Sequence, residues 1–306
     1  MKDAGLSIDL AGLHFGNPTM LASGILGYSA QTFESIVKGG AGGVVTKSVC
    51  LKPREGYANP TVVQASCGLI NAMGLPNPGI EDFADEIRKA KSVLNVPVIV
   101  SVFGFSTEEY AAVAKRATSA GADALELNVS CPHVKETGSE IGQNPKLLAN
   151  VVRTVKASTG RPILVKLSPN VTNIVDSARV AEDAGADAVT VMNTVKAMAI
   201  DVETTLPILA NRVGGLSGPA VKPIALRHVF DVYEEVGIPI VGCGGISGWR
   251  DAVEFLLAGA SAVQVGTAIA VEGPRVFRDI TRGISVYLRR KNVGSVKDIV
   301  GLSHRS

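Results

Sequence analysis

The chain has 306 residues, with 30 lysines and arginines against 28 aspartates and glutamates, and its formal net charge of +2 gives no electrostatic reason to bind nucleic acid. With 46% hydrophobic and 19% charged residues it can bury a large core, which excludes a disordered chain. No apolar run approaches the ~20 residues of a membrane-spanning helix, so no membrane partner is expected.

Residues 1–16, MKDAGLSIDLAGLHFG, carry Asp3 and Asp9 where a secretory signal needs an unbroken apolar stretch, and a cytoplasmic location is expected. Within them, LSIDLAGLHFG over 6–16 alternates like a β-hairpin suited to plug the N-terminal end of a barrel. PTMLAS from Pro18 then opens a series of eight short apolar runs. The others are GGAGGVVTKS from Gly39, PVIVSVF from Pro97, AGADALELNVS from Ala120, PILVKLS from Pro162, AGADAVTVMN from Ala184, PIVGCGG from Pro239 and AGASAVQVGT from Ala258. In the runs from Gly39, Ala120, Ala184 and Ala258, a glycine suited to ending a helix precedes the strand formers.

Helix-like stretches alternate with these runs at about 30–38, 78–92, 106–120, 144–159, 171–184, 219–236, 247–258 and 273–289. Ser106, and Asn144 followed by Pro145, have the makings of helix starts. Strands that are apolar throughout are buried on both faces, and strict β/α alternation requires parallel pairing through right-handed crossovers. The expected fold class is therefore α/β: a (β/α)8 TIM barrel with an N-terminal β-hairpin and a long loop after strand 2, with residues 1–306 forming one domain. An open doubly wound sheet ranks lower, because eight near-equal units fill the chain without leaving a second domain. The loop, residues 48–77, is too long for an ordinary connection and is expected to be functional.

The catalytic face of such a barrel is made by strand C-termini and the loops that follow them. There the chain delivers Ser23, Lys47, Ser48, Ser101, Asn128, Cys131, Lys166, Asn193, Thr194, Gly244, Gly245, Gly266 and Thr267. Ser23, Ser48 and Ser101 are individually explained by barrel-interior or turn roles. Lys47 and Lys166 each end an apolar run, where a buried ammonium needs an anionic or hydrogen-bonding partner. An internal salt bridge to Glu126 answers for one of them; a negatively charged ligand group answers for both. The glycines of VGGLSGP at 213–219, GCGGISG at 242–248 and VGT at 265–267 lie where barrel phosphate sites are assembled. The second run lacks the G-x-G-x-x-G spacing, since position 247 is serine, and no nicotinamide fingerprint is present.

The four cysteines, Cys50, Cys67, Cys131 and Cys243, form no C-x-x-C pair, so neither a metal site nor an iron–sulfur cluster is expected on this chain. Cys131 alone sits on a polar loop, before Pro132. A thiol of reference pKa ~8.5 can act there as base or nucleophile if its surroundings lower that value.

The runs TKSV at 46–49, NAMGLPNPG at 71–79, ELNVSCPHVK at 126–135, VKLSPN at 165–170, MNT at 192–194, PILANRVGGLSGPAVKP at 207–223, GCGGI at 242–246 and AVQVGTA at 262–268 resemble the dihydroorotate dehydrogenases. The likeness spans nearly the whole chain and is strongest to the catalytic subunits of the NAD-linked, type B class. It implies an FMN-binding barrel that oxidises (S)-dihydroorotate to orotate in de novo pyrimidine biosynthesis. Cys131 matches the family's base, which takes the C5 proton while hydride leaves C6 for the flavin N5. Substrate contacts are implied at Lys47, Asn71, Ala72, Met73, Gly74, Leu75, Asn128, Asn193 and Thr194. Flavin contacts are implied at Ser23, Lys47, Ser48, Ser101, Asn128, Lys166, Met192, Gly218, Gly244, Gly245, Gly266 and Thr267, with Lys166 beside the N1–C2=O edge. The resemblance also implies a partner electron-transfer subunit carrying FAD and a [2Fe–2S] cluster, which passes electrons to NAD in a heterotetramer of two catalytic and two electron-transfer subunits. NPG at 77–79 favours this class over the fumarate-using homodimers, while SCPH at 130–133 is also similar to dihydropyrimidine dehydrogenases, which reduce uracil or thymine. From the lysines alone, a Schiff-base aldolase or isomerase stands as an alternative of a different class.

Overall fold

The alternating segment near the N-terminus forms an antiparallel hairpin of β1 (Ile8–Leu10) and β2 (Leu13–Phe15). Its Ile8, Leu10 and Phe15 are buried, and the Phe15 ring lies 2.6 Å from where a Cβ on Gly43 would stand, under the first residue of a barrel strand. The computed structural model describes residues 5–130 and 141–305.

The strands that follow are β3 (Thr19–Leu21), β4 (Gly43–Val45), β5 (Val62–Ala65), β6 (Gly68–Asn71), β7 (Val98–Val102), β8 (Ala124–Asn128), β9 (Ile163–Lys166) and β10 (Ala188–Val191). They are succeeded by β11 (Val195–Met198), β12 (Ile200–Asp201), β13 (Leu206–Pro207), β14 (Val213–Ser217), β15 (Ile240–Cys243) and β16 (Ala260–Val265). Eight of them, one from each apolar run, close a parallel barrel in the order β3-β4-β7-β8-β9-β10-β15-β16. Closure rules out the open doubly wound sheet. The barrel strands are buried along almost their whole length because helices cover the outside and side chains fill the inside.

The helices are α1 (Ala30–Lys38), α2 (Ile80–Val93), α3 (Thr107–Ser119), α4 (Pro145–Ser158), α5 (Ile174–Asp183), α6 (Lys222–Tyr233), α7 (Trp249–Leu257), α8 (Ala268–Glu272) and α9 (Val276–Arg290). Ser106 and Asn144 cap α3 and α4 as expected, accepting from Glu109 N and from Lys146 and Leu147 N. Three helices, α5, α6 and α9, start three residues later than the pattern suggests. Asn173 caps α5, and a 3-10 turn at Pro219–Val221 precedes α6. The stretch expected at 273–289 is α9, with the short α8 before it.

The recurring AGAD echo has a physical basis. Gly121 and Gly185 take φ of +106° and +99° just past their helices, a conformation that costs glycine little. The acid two residues later then ties the next strand to its neighbour: Asp123 accepts from Val98 N and Asp187 from Ile163 N, both at 2.8 Å. Lys91 and Lys156 complete the two ties with ion pairs of 2.7 and 2.5 Å.

The long segment after β4 is more than a loop. Its β5–β6 hairpin joins β11 and β14 in an antiparallel sheet of order β11-β14-β6-β5, with a small core of Ile70, Ala72 and Leu209. Because β11 starts directly after Thr194, this sheet grows from the C-terminal side of the barrel. Among the described residues no helix is long and apolar enough to cross a membrane.

Candidate active site at the barrel mouth

Lys47 follows β4 at the C-terminal face, where it is 7% exposed. Its Nζ lies 4.6 Å from the centroid of the Tyr28 ring, a cation–π contact, and no carboxylate among the described residues pairs with it. Burial therefore pushes the Lys47 ammonium below the ordinary lysine value. Tyr28 is itself held by donating to the Pro76 carbonyl at 2.7 Å, and burial pushes its phenol up to about 12. Beside Lys47, Ser48 Oγ and Ser101 Oγ are 2.8 Å apart, and Asn128 Nδ2 donates to Ser48 Oγ at 3.0 Å. Tyr110 fixes the end of β8 by donating to the Asn128 carbonyl at 2.7 Å.

Lys166, at the end of β9, is buried in the barrel interior and is satisfied differently. Its Nζ donates to Gln264 Oε1 at 3.1 Å and to Ser23 Oγ at 3.3 Å, and faces Glu126 Oε1 at 3.8 Å. Glu126 Oε2 accepts from Thr190 Oγ1 at 3.0 Å and from Gln264 Nε2 at 2.5 Å, while Oε1 accepts no hydrogen bond. Burial alone would push the Lys166 ammonium down, but the charges of Cys243 and Glu126 outweigh it and its pKa lies above the ordinary value. Burial pushes the Cys243 thiol up, so near neutral pH Glu126 is the counter-ion that matters. The internal salt bridge considered from sequence is thus real for Lys166 and absent for Lys47.

The glycine runs divide in two. Gly244 and Gly245 follow β15 with φ of +132° and +75°, and a Cβ on Gly245 would stand 2.7 Å from the Lys222 backbone nitrogen. Gly266 and Thr267 follow β16, and Thr267 Oγ1 donates to Ser217 Oγ at 2.8 Å. Among the described residues, the backbone N–H groups of Gly245, Gly266 and Thr267 donate to no partner. The run at 213–219, in contrast, is a strand rather than an anion-binding turn up to Ser217. Gly214 and Gly215 are needed there because a Cβ would stand 2.7 Å from the Asn71 carbonyl oxygen and 2.0 Å from Thr194 Oγ1. Only Gly218, at φ +97°, turns the chain.

Asn71 ends β6 and donates to the Gly215 carbonyl at 3.3 Å, which brings the long segment beside Thr194. Residues 72–75 follow, with Gly74 and Leu75 at φ of +73° and +56°. Asn77 clamps this turn by donating to the Leu75 carbonyl at 2.9 Å and accepting from Gly79 N at 3.0 Å. Asn193 accepts from Thr194 N at 2.8 Å, Met192 is buried just before it, and Asn170 donates to the Thr194 carbonyl at 3.1 Å. Cys131 lies outside the described residues.

The structure thus brings Ser48, Ser101 and Asn128 into one hydrogen-bonded group and Ser23 and Lys166 into another; Asn71 and Thr194 meet across β14. Sequence reasoning missed Tyr28, Asn77, Asn170, Thr190 and Gln264. Gln264 and Thr190 carried a signal, as polar residues inside the apolar runs AVQVGT and AVTVMN. The other three depend on contacts far along the chain.

A family model for dihydroorotate dehydrogenase matches residues 5–288. A dihydroorotate dehydrogenase B (NAD(+)), catalytic subunit, from Pyrococcus abyssi is 53% identical over 298 residues, covering 97% of this chain and 99% of that one. Proteins of the same description from Thermococcus kodakarensis and Methanothermobacter thermautotrophicus are 52% and 49% identical, covering 99% and 98% of this chain and the same shares of their own. With the closed barrel and its buried lysines, these matches establish that the chain belongs to the dihydroorotate dehydrogenase family.

Proposed function

We propose that this chain is the FMN-binding catalytic subunit of a cytoplasmic NAD-linked dihydroorotate dehydrogenase, oxidising (S)-dihydroorotate to orotate in de novo pyrimidine biosynthesis. One observation carries the reading: Lys47, a buried ammonium without a carboxylate partner among the described residues, beside the Ser48–Asn128 pair. A substrate with one carboxylate and two ring amides needs one cation and several neutral donors and acceptors.

The residues fit FMN. Lys166 supplies a fixed buried cation for the ring edge, and the N–H groups of Gly245, Gly266 and Thr267 stand ready for phosphate oxygens. A Cβ on Gly266 would meet nothing nearer than Ala22 Cβ at 3.5 Å, which leaves room beside those amides. Ser23, Ser48, Ser101, Met192, Gly218 and Gly244 complete the assigned contacts. When bound, the flavin supplies a two-electron acceptor for the hydride lost from C6.

The chain's own residues do the rest. Lys47 neutralises and orients the substrate carboxylate, while Asn71, Asn128, Asn193 and Thr194 hold its ring amides and the turn at 72–75 bounds it. Cys131 accepts the C5 proton. Electrons then leave to a partner subunit with FAD and a [2Fe–2S] cluster, in a heterotetramer of two subunits of each kind; the words "catalytic subunit" and "NAD(+)" in the relatives' names support a companion of this kind. A Schiff-base role, which needs a neutral amine, suits Lys166 poorly, because its counter-ion favours the charged form.

Anaerobic dihydroorotate should bleach the yellow flavin absorbance of the FMN-loaded protein, and an unchanged spectrum contradicts the reading. Cys131→Ser should slow bleaching by about 10²–10⁴-fold while leaving orotate binding nearly intact. An unaltered bleaching rate removes Cys131 from the chemistry.

A further inference from the structure

Glu126 is fully buried on β8, two residues before Asn128 and on the same side of the strand. Its two oxygens are used unequally. Oε2 is anchored by Thr190 from β10 and Gln264 from β16, whereas Oε1 accepts no hydrogen bond and faces the Lys166 ammonium at 3.8 Å. That separation is too long for a good hydrogen bond, so the carboxylate acts on Lys166 through charge. Gln264 reads both partners at once, donating to Glu126 and accepting from Lys166, and this fixes its amide orientation. Ser23 gives the ammonium a second neutral acceptor. Among the described residues, the titratable groups facing Lys166 are Glu126 from β8 and Cys243 from β15; β16 and the segment after β3 present only the neutral Gln264 and Ser23.

A buried ion pair adds little net stability over apolar side chains of similar volume, so packing alone gives no reason to keep a carboxylate in the barrel. We propose that Glu126 is a positioning residue that acts on the flavin only through Lys166, as the counter-ion that holds the ammonium charged and in place. The inference rests on the FMN reading given above. Glu126 does not touch substrate or cofactor in this scheme. Its charge keeps Lys166 from losing its proton in a low-dielectric interior, so the cation beside the ring stays constant with pH. With a neutral group at 126, Lys166 would lose its facing carboxylate and give up its proton more readily. Its proton would then be taken up more readily when the neighbouring ring gains electrons.

The test is the FMN midpoint potential as a function of pH in wild type, Glu126→Gln, Lys166→Gln and the double variant, each as the FMN-loaded protein. Glu126→Gln should make the potential fall more steeply with pH than in wild type. On the Lys166→Gln background the same substitution should leave the slope unchanged, because the proton it acts through is gone. Superimposable wild-type and Glu126→Gln profiles overturn the inference, as does an equal Glu126→Gln change of slope with and without Lys166. Glu126→Asp, which keeps the charge, should restore the shallow profile should Glu126→Gln prove hard to fold, and a steep profile in Glu126→Asp also counts against the role. Protein that takes up no FMN in any form defeats the functional reading, and this inference with it; yellow protein with matching profiles defeats the inference alone.

Discussion

Lys47 and Lys166 both lie at the C-terminal ends of barrel strands and both are buried, yet their surroundings treat them in opposite ways. Lys166 is enclosed by Glu126, Gln264 and Ser23, a set that includes a carboxylate. At the mouth, Lys47 has an aromatic face and no carboxylate among the described residues. An uncompensated buried charge costs free energy, so the Lys47 position makes sense where a ligand supplies the missing anion. The difference separates a cation with a carboxylate partner inside the barrel from one without such a partner among the described residues.

The largest effect expected from this contrast is on stability. Lys166→Ala leaves Glu126 as a buried carboxylate without its cation and should destabilise the protein by about 3–5 kcal/mol in urea unfolding. Lys47→Ala removes a charge that has no such partner and should be neutral or stabilising. Similar losses for the two variants would erase the distinction.

Next is the sheet that frames the mouth. Gly215→Ala puts a Cβ where Thr194 Oγ1 now lies 2.0 Å away and should cost about 1–3 kcal/mol through overpacking, with weakened orotate binding because Thr194 must move. Binding equal to wild type would detach β14 from the site. Away from both lysines, Asp187→Ala breaks a strand tie on the barrel wall and should cost about 1 kcal/mol without changing orotate affinity.

The smallest effect is a pH dependence confined to the mouth. The folded pKa of Lys47 lies below the ordinary lysine value of 10.5, so between the two the unfolded chain holds more protons. Stability from this group therefore rises with pH through that window, while orotate affinity falls as the ammonium is lost. Lys166, with a raised pKa, contributes stability that is full below 10.5 and is lost only at higher pH. Orotate titrations in the alkaline range should show the fall in wild type and not in Lys47→Ala.

The barrel was legible because each unit repeats the same physics: a helix, a turn glycine or proline, and a short run apolar on both faces. The sheet β11-β14-β6-β5 was not. Its strands are two halves of a pairing far apart in the chain, and β5 is half-exposed, with no continuous apolar signal. In the site, Lys47 and Lys166 were legible as charges closing apolar runs, but their different fates were not. Glu126 reaches Lys166 and not Lys47 because of barrel register, in which Asn128 pairs with Lys166 and Glu126 sits one layer below. Tyr28 reaches the mouth through the distant Pro76 carbonyl, and Asn77 ties its own turn to the distant 50–54 segment.

Orotate and uracil differ by the carboxylate that Lys47 is assigned to hold, and their affinities for the FMN-loaded wild type and Lys47→Ala proteins can be compared directly. Wild type should prefer orotate, and that preference should fall by about 10–100-fold in Lys47→Ala, as expected for the loss of a charge-assisted contact. A preference for orotate that survives intact without Lys47 would contradict the assignment of the mouth as a carboxylate-binding site.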